Sequence, residues 1–541
     1  MAVKVPTLWN GKYLSTMSEQ QANLIIQTRS MEVMPNLKNM LFNFPPELLL
    51  QSIEEETSIR NIIKRDNIEY TKYLAQLRDY QTVGTAFMYL SPRSVLADGC
   101  GLGKTAEVSG LINWLKYKGE LTRFLIAVET SAIGQTQAEI MRFTGLYVIA
   151  MPSEAAKIKK VIEKTDWTKV DGIVIKHSTL RSDAFSKWLS LNLDENGMCK
   201  IFNTFFLDES SVIKNQDTKM YTYTKNICDI VGRVHLMNAT TFETSIVDIY
   251  NQIDMMDTNL LPKRWRIEQD FCTYGRTSYW TKENGKAKLN WRRERNGYKN
   301  QEIFKKSLEL VYFGRSAKDV GKDLPHVYKV YEVEPTNAMS LALASGKYRY
   351  NELLNCPSLV SEANIPMDRK NVPKLDRLCD LVENEFANSN VMVYCFHLEA
   401  QAAIADEMRK IGRKPITLNG ACTDDARKEA QDGFNNGTYD VIITNIKKSL
   451  NLHAGDVCIF YSMETNPSKS FQIASRIDRH INDDIKTFVL MLYKGTDEYK
   501  FFTTTVKQRA KDARDLTIDA KTTVDFFYES MMDEEASKLG L

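Results

Sequence analysis

Residues 94–105 read Ser94-Val95-Leu96-Ala97-Asp98-Gly99-Cys100-Gly101-Leu102-Gly103-Lys104-Thr105, and Val108, Leu111, Ile112 and Leu115 follow before a stop near Gly119. The first four residues form a short apolar run of the kind that makes a buried parallel strand. The last four sit at i, i+3, i+4 and i+7, one face of an amphipathic helix. Between strand and helix lies a glycine-rich loop, whose backbone N–H groups and helix N-terminus suit phosphate oxygens. Asp98, Gly99, Cys100, Gly101, Leu102, Gly103, Lys104 and Thr105 are therefore candidate nucleotide-binding residues. Lys104 is expected to reach the β/γ-phosphates and Thr105 to hold Mg2+. The loop departs from G-x-x-x-x-G-K-[ST] at its first position, Asp98, so a plain glycine-rich turn before a helix is the competing reading.

Working outward, similar apolar runs recur at Phe124-Leu125-Ile126-Ala127-Val128, Gly172-Ile173-Val174-Ile175 and Phe205-Phe206-Leu207. Asp208-Glu209 follows the last of these, at the strand end where ligands bind in parallel sheets. Asp208 is expected to position Mg2+ and Glu209 to orient or deprotonate an attacking water. An isolated Asp-Glu is usually a solvated pair; it is the order and spacing of the two motifs that favour a catalytic site. The alternation returns at Val391-Met392-Val393-Tyr394, Ile416-Thr417-Leu418, Val441-Ile442-Ile443 and Val457-Cys458-Ile459-Phe460, with residues 487–493 a fifth run. The expected class is α/β, with two parallel-sheet lobes in tandem.

Composition narrows the partners. The 71 basic and 69 acidic residues leave a net charge of +2, so any basic surface has to be local. The nine cysteines include no C-x-x-C pair, which fits a reducing compartment better than a disulfide framework or zinc site. Neither a signal-peptide core nor a bilayer-length apolar run is present. A soluble, cytoplasmic protein without a membrane partner is expected.

Further motifs carry a resemblance. Leu77-Arg78-Asp79-Tyr80-Gln81 precedes the loop, and Asp208-Glu209-Ser210-Ser211-Val212-Ile213-Lys214-Asn215 reproduces D-E-x-x-x-I-K-N. Both resemble the Swi/Snf-type ATPases of superfamily 2, whose loop commonly reads D-x-x-G-L-G-K-T and so accounts for Asp98. That resemblance implies two RecA-like lobes closing on ATP and Mg2+, with Gln81 at the adenine and Lys214 and Asn215 near nucleic acid. Met237-Asn238-Ala239-Thr240-Thr241 stands where the family carries T-G-T-P, and departs from it at three positions.

In the second lobe, Gln472, Arg476 and Arg479 are spaced along one helix face. A solvated basic face is the bland reading. The family's Q-x-x-x-R-x-x-R motif implies that Gln472 faces the nucleotide and the arginines stabilise charge on the transferring phosphate. Leu418-Asn419-Gly420, Arg427, Phe434-Asn435-Asn436-Gly437 and Thr465-Asn466-Pro467 resemble further family elements. Thr444 to Leu452 has Lys447, Lys448 and Ser449 where relatives carry glycines. Thr444, Lys447, Lys448, Asn451 and Asn466 are the implied nucleic-acid residues of this lobe.

Between the lobes, residues 262–306 hold thirteen Lys/Arg against five Asp/Glu, with eight aromatics. Basic residues interleaved with aromatics suit phosphate contact and base stacking, which makes Arg292, Arg293 and Arg295 nucleic-acid candidates. A protrusion whose aromatics only form a small core is the alternative. Glu283-Asn284-Gly285 is placed to turn a hairpin. Phe271 to Tyr274, Tyr298 to Glu302, and Phe313 to Val320 followed by Asp323-Leu324-Pro325 resemble the annealing-helicase branch, with Gly314-Arg315 replacing its R-R. The absence of bromodomain-like, zinc or nuclease motifs is more like a bacterial or viral chain.

The expected organisation is an N-terminal accessory domain over 1–72, an ATP-binding RecA-like lobe over 73–257, a protrusion and linker over 258–372, a second lobe over 373–500 and a helical segment over 501–541. The expected function is a monomeric DNA-dependent ATPase that translocates on duplex or branched DNA, in branch migration, fork remodelling or strand annealing. A motor that displaces DNA-bound protein, such as RNA polymerase, is the alternative, and an ATP-gated binding module without turnover is a third reading. RNA stays open as a partner.

Overall fold

The computed structural model describes residues 7–9, 12–14, 76–238, 246–256, 264–283, 286–301, 311–316, 318–321, 326–345, 365, 369–446, 450–464, 466–478, 484–508, 510–511 and 523–539. These fall into two compact units, one within Met1–Ser316 and one within Ala317–Arg514 and Asp519–Leu541. Among the described residues no helix is long and apolar enough to cross a membrane.

The first unit begins with a small antiparallel pair, β1 (Thr7–Trp9) and β2 (Lys12–Leu14). Apart from this pair, the expected accessory domain over 1–72 lies outside the described residues. Helix α1 (Asp79–Leu90) leads into β3 (Arg93–Leu96), α2 (Lys104–Tyr117), β4 (Phe124–Val128), β5 (Val148–Ala150), β6 (Gly172–Lys176), β7 (Thr204–Leu207) and β8 (Arg233–Met237). The chain continues through α3 (Ile246–Met256) and α4 (Arg264–Phe271) to the long strands β9 (Cys272–Glu283) and β10 (Lys286–Tyr298), then β11 (Tyr312–Phe313). Seven strands form one sheet in the order β11-β3-β8-β7-β4-β6-β5, every pairing parallel. All five residues of β4 are buried, as both faces of a helix-covered parallel sheet require.

Strands β9 and β10 stand apart as an antiparallel hairpin, with Trp280 opposite Leu289 and Tyr279 opposite Asn290. Glu283 pairs with Lys286, as a hairpin turned at Glu283-Asn284-Gly285 requires; Asn284 and Gly285 themselves lie outside the described residues. An irregularity between Arg295 and Gly297 shifts the register near the base.

The second unit has β12 (Val327–Val333), α5 (Asn337–Ala344), α6 (Pro373–Asp380), β13 (Val391–Tyr394), α7 (Leu398–Lys410), β14 (Pro415–Leu418), α8 (Asp424–Asn435), β15 (Val441–Thr444), β16 (Val457–Phe460), α9 (Pro467–Ala474), β17 (Thr487–Tyr493) and α10 (Thr523–Leu539). Its sheet runs β12-β17-β16-β13-β15-β14, again parallel throughout. Alternate residues of β13 serve opposite faces. Val391 and Val393 join Leu378, Ile404 and Met408 on one side, while Met392 and Tyr394 join Phe434, Ile473 and Phe527 on the other. Both units are α/β, the tandem RecA-like arrangement expected. The stretch expected as a linker contributes β11 to the first sheet and β12 to the second.

Candidate functional site

The loop after β3 takes its shape from left-handed glycines. Gly101 and Gly103 have φ of 81° and 89°, and Gly103 caps the N-terminus of α2. A Cβ on Gly103 would also fall 2.5 Å from the Gln81 Nε2. The N–H groups of Cys100, Gly101, Gly103, Lys104 and Thr105 make no hydrogen bond among the described residues, so several donors converge at one helix end. The Lys104 Nζ donates to the carbonyl oxygens of Asp98 at 2.8 Å and Gly99 at 3.3 Å. This arrangement fits a nucleotide's phosphates.

Gln81 lies in the first turn of α1. Its Nε2 donates to the Leu102 carbonyl at 2.9 Å, and its Oε1 accepts from the Arg78 N–H at 2.9 Å. The Tyr80 hydroxyl donates to the same Leu102 carbonyl. The residue expected at the adenine is thus tied to the loop. The Asp98 carboxylate is buried and accepts from Arg315 Nε at 3.2 Å and Nη2 at 2.6 Å. Nη2 also donates to Glu107 at 2.6 Å. Burial, with the Asp98 charge adding to it, pushes the Glu107 carboxyl well above the usual carboxylate range against the pull of Arg315. What the Asp98 main chain offers is a carbonyl acceptor for the Lys104 ammonium. The sequence did not mark Glu107, and Arg315 entered only as half of an altered R-R.

Asp208 and Glu209 leave β7 two strands away from β3 in the same sheet. The Asp208 carbonyl meets the His177 Nε2 at 2.9 Å, and the Glu209 N–H donates to Asp208 Oδ1 at 3.0 Å. Burial and then the Glu209 charge push the Asp208 carboxyl up to about 7, while Lys104 pulls it down. The two motifs therefore lie within electrostatic reach. Glu209 has φ 50° and ψ 52°, a left-handed conformation that is costly for a non-glycine residue and clusters at functional sites. Among the described residues no group of three His, Cys, Asp or Glu could hold a metal ion. A half-buried Asp208 carboxylate at the strand end suits Mg2+, which takes most of its ligands from phosphate and water.

Lys214 and Asn215 follow on a short 3-10 turn. The Lys214 carbonyl accepts from Asn251 Nδ2, and Asn215 Oδ1 accepts from the Asp217 N–H at 3.0 Å. Asn238 is buried; Ala239, Thr240 and Thr241 lie outside the described residues. On the hairpin, Arg292 and Arg293 belong to β10, opposite Thr277 and Arg276. Arg295 pairs with Tyr274 and stands 5.2 Å over the Tyr298 ring. Trp265 and Trp291 are 62% and 63% exposed.

In the second unit Gln472 and Arg476 are buried. The Arg476 guanidinium donates to the Gln472 carbonyl at 2.7 Å and the Leu450 carbonyl at 3.3 Å, so it braces the end of α9 against the preceding loop. Thr444 is buried at the end of β15, and its Oγ1 accepts from the Ile446 N–H. The Asn451 N–H donates to Gln431 Oε1, and the Asn466 N–H donates to Glu464 Oε1. Lys447, Lys448 and Arg479 lie outside the described residues.

Residues 373–480 match the family described as Helicase conserved C-terminal domain. The chain is 22% identical over 459 residues to human Chromodomain-helicase-DNA-binding protein 1, covering 75% of this chain and 25% of that protein. It is 22% identical over 381 residues to the Drosophila melanogaster SWI/SNF-related matrix-associated actin-dependent regulator of chromatin subfamily A containing DEAD/H box 1 homolog, covering 63% and 42%. The solved Sulfolobus solfataricus SWI2/SNF2 ATPase core in complex with dsDNA is similar at a TM-score of 0.39 and 17% identity, over 85% of this chain and 96% of that one. The chain thus spans a quarter of the first relative and under half of the second. By these matches and its ordered motifs, the chain is similar to the Swi/Snf-type helicases and translocases of superfamily 2, with a helicase C-terminal domain over residues 373–480.

Proposed function

We propose that the protein is an ATP-hydrolysing motor that translocates on DNA, with duplex or branched DNA as its track. The observation that carries this reading is the convergence of unpaired loop N–H groups, the Lys104 ammonium and the Asp208-Glu209 pair on one sheet end. ATP with Mg2+ supplies the phosphoanhydride bond whose hydrolysis drives movement. The loop amides and Lys104 hold phosphate charge, Thr105 and Asp208 hold Mg2+, and Glu209 orients or deprotonates water. Gln81 meets the adenine. The names of the curated relatives support DNA over RNA as the polymer.

The finer part of the reading is branch choice. The basic hairpin with its exposed Trp291, and the exposed Trp265 on the helix before it, support branched DNA, where an unpaired base is available for stacking. ATP hydrolysis measured with forked, duplex and single-stranded DNA, and with RNA, tests it. Stimulation greatest by forks is expected. Stimulation by linear duplex alone favours a track motor without junction work, and no stimulation by any polymer sinks the proposal.

A further inference from the structure

The outgoing segment 311–315 is zipped to the strand that feeds the nucleotide loop. The Val95 N–H donates to the Val311 carbonyl at 2.6 Å, Ala97 to Phe313 at 2.6 Å, and Gly99 to Arg315 at 2.8 Å. The last of these bonds lies inside the loop itself. The Arg315 side chain then closes over the same place. Its fork grips Asp98 through two nitrogens, reaches Glu107 on α2, and donates through Nη1 to the Tyr80 carbonyl. Arg315 is 12% exposed at its side chain, and both carboxylates are fully buried. Its guanidinium also stacks over the rings of Phe313 at 4.7 Å and Tyr80 at 5.4 Å. Gly84 leaves the room: a Cβ there would fall 2.9 Å from the Glu107 carboxyl carbon and 3.0 Å from Arg315 Nη2.

One planar fork therefore joins the adenine-side helix α1, the first residue of the loop, helix α2 and the outgoing strand. Only a guanidinium supplies that many donors in a fixed plane. The first unit ends at Ser316, one residue later, and the chain passes to the second unit. We propose that Arg315 is a positioning residue for the nucleotide loop, which holds the loop in register with the strand leaving the first unit and so links loop geometry to displacement of the connecting chain.

This inference rests on the loop binding nucleotide. Steady-state hydrolysis, with and without DNA, and binding of a fluorescent ATP analogue with Mg2+ are compared for wild type and Arg315→Lys. The variant keeps the charge and loses the fork. KM for ATP and Kd for the analogue are expected to rise roughly tenfold to a hundredfold, with a smaller change in kcat and a lowered melting temperature from the buried acceptors left without a donor. Hydrogen exchange on the wild-type protein removes dependence on the variant's folding: amides of 95–105 and 311–316 should slow together when the analogue binds. Wild-type KM, Kd and kcat in Arg315→Lys, or protection of 95–105 with 311–316 unmoved, overturns the role. A wild type that binds the analogue without hydrolysing ATP removes the motor reading and leaves this one decided by the binding and exchange arms; one that binds no nucleotide overturns both.

Discussion

Lys104 and Asp208 share one electrostatic site: the ammonium, anchored on the Asp98 carbonyl at 2.8 Å, opposes the rise that burial and Glu209 impose on the Asp208 carboxyl. Neither Lys104 nor Glu209 belongs to the buried core of the first unit. Lys104→Ala is therefore expected to abolish binding of an ATP analogue with the melting temperature retained. Glu209→Gln keeps the shape and removes the base, and hydrolysis should fall by about 10²–10⁴ while binding persists. Phosphate release beside circular-dichroism melting checks both. Wild-type turnover in either variant removes the site.

Arg476 and Arg479 are expected to separate in their effects. Arg476 makes buried hydrogen bonds to two backbone carbonyls, so Arg476→Ala strands acceptors and destabilises its unit by about 1–3 kcal/mol. Arg479, from its place in the motif, is expected to act on hydrolysis, with a loss of about 10³ or more in Arg479→Ala. Denaturant unfolding and ATP turnover on both variants make the comparison. Equal stability loss with normal turnover in both would count against the motif's role in hydrolysis.

The legible parts of this protein were those whose signal is local. Phe124 to Val128 is apolar at every position because the strand is buried on both faces. Strand β12 alternates apolar and polar residues at the edge of its sheet, with Lys329 and Glu332 in the run, so it did not read like its buried neighbours. Strand β5 has three residues, too few for a period. The loop and the Asp-Glu pair were readable because each sits at a strand end in a fixed order. The grip of Arg315 on Asp98 spans 217 residues of sequence and leaves no periodic trace. Lys374 likewise reads as a solvated residue at a helix start, and its burial is set by a partner far along the chain.

That partner is Glu498. Lys374 donates to its two oxygens at 3.0 and 3.2 Å, with 0% and 1% side-chain exposure, between the rings of Tyr461 and Tyr493. The Tyr493 N–H also donates to Glu498. Lys374→Met leaves a carboxylate buried without its cation and should destabilise the second unit by about 3–5 kcal/mol. Lys374→Met with Glu498→Leu should recover most of that loss, since replacing a whole buried pair is often near neutral. Urea unfolding of the single and double variants decides; equal losses would show that the packing, not the charge, matters.

His235 gives the first unit a defined acid sensitivity. Its ring is buried in β8, 2.9 Å from the Ser94 Oγ and stacked on Phe206. Burial, then Arg233 and Arg93, hold its pKa well below the ordinary histidine value. Above about pH 6.5 the ring is neutral in both folded and unfolded chains and adds no pH dependence. Below that the unfolded chain takes up a proton that the folded ring refuses, so stability falls as pH falls. Melting temperatures at about pH 7.5, 6.5 and 5.5 should decline toward acid, and His235→Gln should flatten the decline. An unchanged slope in the variant assigns the acid sensitivity elsewhere.

The hairpin is the element whose role the lobes do not dictate. Residues 262–306 hold a basic excess of eight (13 − 5), and the register sets Arg293 opposite Arg276. Trp265 and Trp291, each more than half exposed, offer faces for unpaired bases. The bland alternative is a rigid protrusion whose basic residues are simply solvated. Arg292→Glu, Arg293→Glu and Arg295→Glu together distinguish the two. If the hairpin grips DNA, fork binding weakens, and the slope of log affinity against log salt becomes shallower by about 0.7–0.9 for each phosphate the hairpin no longer neutralises. Hydrolysis without DNA, governed by Lys104 and Glu209, provides the internal reference. Fork affinity and salt slope equal to wild type would make the hairpin structural and turn the search for the branch selector to residues 1–72.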